Sequence, residues 1–235
     1  MAAKARGLLD RWFYFIMSLV TAGVVAYGFS RTVGEGLIHP AYPLPAILYA
    51  HVTVFVFWMI LFIVQTALVR SRNVKLHRLL GWWTLAVGIA LPIVGVWVGI
   101  VMARLETLHG DQGEDAFLVV PLFDMIAFAI VYGLAIHWRR RPEYHRRLML
   151  IAACGLTGAG LGRFPHYIVP HGWFYWALDL LILLGVLRDL IVIKRIHPVY
   201  LYALPMLIVG QSITVFLRGS PIWLPVAHAI MGPGF

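Results

Sequence analysis

The feature that most constrains this chain is a series of unbroken apolar runs, each about the ~20 residues a helix needs to cross a bilayer core. They fall near residues 12–30, 46–69, 79–102, 117–138, 147–164, 173–193 and 198–217. Every run is apolar at consecutive rather than alternate positions, which argues against the strands of a membrane barrel. The pattern predicts an all-α fold, a polytopic transmembrane bundle of about seven helices forming one integral membrane domain over residues 1–235. Charged residues make up 12% of the chain and apolar residues 61%, whereas about a quarter of a soluble domain is charged. The start, MAAKARGLLDRWFYFIMSLV, is basic and then apolar, like a signal peptide. Its run is long enough to span and no small-residue cleavage site follows, so it reads as a retained first helix.

The net charge of +9 has a location. With the N-terminus inside, 15 of the 19 Lys and Arg residues fall in the N-terminal segment and the inner loops and helix ends. The outer side keeps Arg31, Arg104, Arg163 and Arg218, next to the acidic stretch LETLHGDQGED. This asymmetry predicts an N-in, C-out arrangement with anionic lipid at the cytoplasmic face. It accounts for the basic balance without nucleic acid. Cys154 is the only cysteine, so no intrachain disulfide forms. Pro92 and Pro205 predict kinks, and Gly95/Gly99 and Gly158/Gly162 predict close helix packing.

After the first helix the chain reads as three hairpins. Each descending helix carries one ionisable residue a turn or two below its outer end: His51, Asp124 and Asp179. Each return begins in a basic loop with a histidine: KLHR (His77), EYHRR (His145) and KRIHP (His197). An ionisable group inside a span is costly and is a functional candidate by default. The outer layer of His51, Asp124 and Asp179, with Arg163 nearby, admits three readings. One is a structural charge network bridged by Arg163. Another is a proton- or quinol-handling site, with these four residues as the catalytic candidates. The third is a metal held by His51, a carboxylate and a loop histidine, His166 or His171. His109, in the acidic outer loop, reads as solvated.

In the inner layer, two histidines on different helices at one depth match what a six-coordinate heme b requires. His77 and His145 are the expected axial ligands, with Arg78, Arg146 and Arg147 as propionate partners. Trp82, Trp83, Tyr144 and Met149 would line such a site. The alternative is that these residues only set topology and anchor the chain to headgroups.

The order His51, KLHRLLGWW, Asp124, HWRRRPEYHRRLMLIAA, GRFP resembles an uncharacterised family of bacterial polytopic membrane proteins over roughly residues 45–170. That resemblance implies a multi-pass protein of the bacterial inner membrane. The arrangement is also similar, more weakly, to transmembrane di-heme cytochrome b reductases. In those, helices two and four bind one heme and helices three and five the other. That similarity implies a heme between His77 and His145. It sets His51 opposite Asp124, and an aspartate departs from the family's histidine pair.

The leading expectation is an integral membrane redox protein that binds heme b and passes electrons from quinol or a small reductant. The alternatives are a non-enzymatic accessory subunit of a larger membrane complex, as a partner or homo-oligomer, and a small proton-coupled transporter. A hydrolase lacks its motifs, since neither GxSxG nor HExxH occurs. A retinal photoreceptor needs a lysine in the last helix, and PVYLYALPMLIVGQSITVFLRG has none.

Overall fold

The computed structural model describes residues 2–111 and 113–232, with side chains from residue 7 onward. The Lys4 and Arg6 side chains, Gln112 and the end of the C-terminal segment lie outside the described residues. In chain order the helices are α1 (Ala2–Ser30), α2 (Ala46–Arg70), α3 (Val74–Leu108), α4 (Glu114–Phe117), α5 (Val119–His137), α6 (Pro142–Gly155), α7 (Gly158–Leu161), α8 (Phe174–Val192), α9 (Pro198–Arg218) and α10 (Trp223–Met231), with a short π-turn at Gly34–Ile38 after α1. Among the described residues there is no strand.

Among the described residues, five segments are long and apolar enough to cross a membrane: Gly7–Ser30, Ala46–Arg70, Val74–Leu108, Glu114–His137 and Pro198–Arg218. Large apolar side chains face outward on them, with Trp82 at 71% exposure and Met206 at 72%. Meanwhile Arg147, Arg188 and Asp189 are buried to 1% or less. That is the inverse of a water-soluble globule and the arrangement expected where the surrounding medium is apolar.

Local sequence sets the helix ends. Pro40, Pro43 and Pro45 stop α1 from continuing into α2, and Pro45 caps α2 in an extended conformation. Asn73 caps α3 by accepting from the Leu76 amide at 3.2 Å. α3 therefore starts five residues before the expected run, and His77 sits in its first turn rather than in a loop. The tight returns after α2 and α8 each place a basic residue at positive φ, Arg72 at 62° and Lys194 at 60°. Pro142 and Pro198 occupy first-turn positions of α6 and α9, where no amide bond is lost. Helices α3 and α9 run on through Pro92 and Pro205.

The expected fifth pass, 147–164, is not one helix. It is α6, a turn at Leu156 and Thr157, then α7. Glycines 155, 158, 160 and 162 weaken helical continuity there by about 1 kcal/mol each relative to alanine. Gly160 also brings two backbones together, because a Cβ on Gly28 of α1 would collide with the backbone of Gly160. Helix α6 packs against α1, α5, α8 and α9. It is the centre of the bundle, which explains why it need not be as apolar as a lipid-facing helix.

The ends of the helices gather at two poles. At the basic pole the Arg70 guanidinium lies 3.1 Å from the Trp12 ring centre, and Tyr144 packs edge-on against His197 at 4.7 Å. At the opposite pole Tyr42 stacks on His109 at 3.9 Å and His166 on His171 at 3.4 Å. There too, α10 is tied down, with His228 3.0 Å from the Asp115 carboxylate and Arg104 donating to the Met231 carbonyl at 3.0 Å.

Candidate functional site

At the basic pole, His77 lies in the first turn of α3 and His145 in the first turn of α6, both partly buried. Sixty-eight residues separate them in the chain, and the charge of His145 reaches His77. Pro142 starts α6 just before His145, and the ring Nδ1 of His145 is 2.8 Å from the carbonyl of Ala135, a fully buried residue of α5. A carbonyl can only accept, so Nδ1 carries the proton and Nε2 keeps a lone pair. The Nδ1 of His77 is buried and has no hydrogen-bond partner. Beneath the pair runs a polar seam. Gln65 donates to the Thr84 hydroxyl at 2.9 Å, and the Tyr132 hydroxyl donates to the Thr84 carbonyl at 2.9 Å. The Gln65 side-chain oxygen is buried without a partner.

The expected companions of this pair divide. Arg78 is exposed beside His77. Arg146 is committed to Glu143 at 2.7 Å and reaches Asp10 at 3.9 Å. Arg147 belongs to a separate network. Trp82 and Trp83 were expected to line the site, but at 71% and 63% exposure they face outward. Tyr144 packs on Trp138 and His197.

Next to the pair lies a charge cluster that the sequence reading missed. Arg147 makes two parallel bonds to Asp189, both 2.7 Å, and neither side chain is exposed at all. Its remaining nitrogen donates to Glu143 at 2.7 Å. Arg188 bonds Asp189 at 2.6 Å and also pairs with Asp10 of α1. Three arginines meet three carboxylates, and the cluster ties α1, α6 and α8 together. Burial works to raise the Glu143 carboxyl, but hydrogen bonds from Arg147 and Arg146 and their charges win and hold it below its usual range. Burial, followed by the charge of Arg147, holds the imidazole of His197 below its ordinary value. The available signal was the pair Arg188–Asp189 at the end of an otherwise apolar run.

Toward the opposite pole, α5 carries Asp124 and α8 carries Asp179. Tyr175 donates to one oxygen of Asp124 at 2.9 Å. Gln211 of α9 donates to Asp179 at 3.0 Å. Gly158 leaves room for Asp124, whose other oxygen would stand 3.6 Å from a Cβ there. Asp124, Tyr175 and Gln211 line one small cavity with Phe128, Ile151 and Leu207. The sequence marked the two aspartates and missed Tyr175 and Gln211.

The other two residues expected in this layer stand apart. His51 packs its ring near Phe55 on its own helix, at 5.9 Å, and does not line the cavity. Arg163 is exposed, donates to the Ala159 carbonyl at 2.6 Å and lies 4.4 Å over the Phe29 ring. Among the described residues no ion pair links Arg163 to Asp124 or Asp179, so the bridge expected from it is not made. Nor do three or more His, Cys, Asp or Glu side chains gather as metal ligands among these residues. The chain matches no family model, no curated protein and no solved structure. The functional reading therefore rests on the geometry of these sites.

Proposed function

We propose that this is an integral membrane redox protein of a bacterial inner membrane, with seven passes and an N-in, C-out orientation, that holds heme b between His77 and His145. The observation that carries the reading is the placement of these two partly buried imidazoles in the first turns of separate helices at one pole. The donor set fits the group on two counts. The Nδ1–H of His145 is held by a backbone carbonyl, the outer-shell bond that ligating histidines characteristically make. The orphaned buried Nδ1 of His77 marks a ring whose bonding is incomplete. When bound, heme b supplies one-electron exchange, with quinol or a small reductant as the electron source. The protein's share is to fix the His145 ring through the Ala135 carbonyl and to start α3 at Asn73, which sets His77 in its first turn. It also offers Arg78 to the propionates at the membrane surface, while Arg146 and Arg147 hold α6 in register through Glu143 and Asp189.

An absorption spectrum of protein purified after heme-replete expression tests the reading. The expected result is a Soret band of low-spin, bis-imidazole heme at close to one per chain. His77→Ala or His145→Ala should lower heme content by about tenfold or more, in line with the loss of a ligand or its support. A wild-type protein with no Soret band would overturn it. A second reading, a small proton-coupled transporter, draws support from the two intramembrane carboxylates that pair with neutral partners. A colourless protein would leave that one in place.

A further inference from the structure

The cavity between α5, α6, α8 and α9 has a volume of about 20 Å³. Roughly 10–15 Å³ suffices for one water, whereas sites for small organic molecules run to about 300 Å³ or more. This space takes a single water and excludes a quinone ring. Its polar edge consists of the Asp124 carboxylate, the Tyr175 hydroxyl and the Gln211 amide, and the remaining walls are apolar. Asp179 follows Tyr175 by one turn on α8, is 8% exposed, and shares Gln211 with the cavity.

Both carboxylates have neutral donors. Among the described residues neither forms an ion pair, and the nearest expected cation, Arg163, is turned onto Phe29 and Ala159. An ionised carboxylate away from water costs several kcal/mol unless a cation offsets it. The contrast within the molecule is direct: the partly buried Asp124 and the buried Asp179 have only neutral donors, while Asp189, which is wholly buried, has two arginines. A proton removes the cost for a group that lacks them.

We infer that Asp124 and Asp179 are a proton-binding pair, each carrying a proton at rest, and that the water-sized cavity is where protons are exchanged. Tyr175 and Gln211 position the carboxyls, and the single water is the carrier. The inference depends on neither the heme nor the transport reading, since it concerns only the charge state of two side chains.

Infrared spectroscopy of the wild-type protein in lipid bilayers, held slightly above neutral pH, tests it without any cofactor or activity. The expected spectrum contains a protonated-carboxyl C=O band that shifts in D₂O. Asp124→Asn and Asp179→Asn should each remove one component, and the double variant both. Tyr175→Phe should shift the Asp124 component without abolishing it, which guards against misfolded aspartate variants. A band absent from wild type, or unchanged in both Asn variants, would show ionised carboxylates and overturn the inference. So would a band that vanishes on replacing choline chloride with sodium chloride, which would assign the site to a metal cation.

Discussion

Single charged side chains in this protein fall into two kinds, and their partners separate them. Arg147 and Asp189 are wholly buried and doubly bonded, so removing one leaves an uncompensated charge. Asp189→Ala is expected to cost about 3–5 kcal/mol, read from unfolding of the protein in detergent. Arg163→Ala removes an exposed side chain bonded to its own helix and should change stability by under about 1 kcal/mol. The reverse order would mean that the inner cluster contributes little. Asp124 and Asp179 were legible because each is a lone charge in an apolar run. Arg188 and Asp189 were not. They stand where a run meets a basic loop, and there a charge looks like a topology signal. Their partner Arg147 lies some 40 residues away in the chain, on another helix. Tyr175 and Gln211 were illegible for a different reason: such residues are common in membrane helices, and only folding aims them at a carboxylate.

Helices α6 and α7 carry the clearest lesson at the level of elements. Apolar continuity over 147–164 suggested one span, because hydropathy records how greasy a segment is and not whether its backbone is helical throughout. Gly155 ends α6, and Gly160, one short turn further on in α7, admits α1. Gly28→Ala should therefore clash with the Gly160 backbone and cost about 1–3 kcal/mol. Gly23→Ala on the same helix meets nothing within 4 Å and should be neutral or slightly stabilising. Comparing the two variants by thermal unfolding in detergent checks the crossing, and equal effects would refute it. The small-residue spacing at Gly158/Gly162 was readable in the sequence. What it met was not: Gly158 faces Asp124 of α5 and Leu178 of α8, and it is Gly160, between the two glycines, that meets α1, more than a hundred residues away in the chain.

For the molecule as a whole, the alternation of basic and acidic loops was the most informative sequence signal, because it depends only on composition and order. The proposed N-in orientation has a direct test. Cys154 is fully buried, so introduced cysteines can report alone. In intact cells an impermeant maleimide should label Tyr167→Cys, at an 86% exposed position of the 162–173 loop, and leave Arg72→Cys unlabelled. Labelling of the opposite set would invert the assignment.

The buried charge cluster also bears on how such a chain can be made. Helices α6 and α8 bring Arg147, Arg188 and Asp189 toward the bilayer, and near its middle each such residue costs about 2.5–3.5 kcal/mol to insert. Neither helix leaves the insertion machinery comfortably as a single passenger. Arg147 and its partner Asp189 are on different helices, so α6 must wait for α8, which finds Asp10 already in place on the first helix. Synthesis is then a matter of assembling three parts into one insertable unit, and a ribosome that stalls after α7 releases a chain whose central helix has nowhere stable to sit.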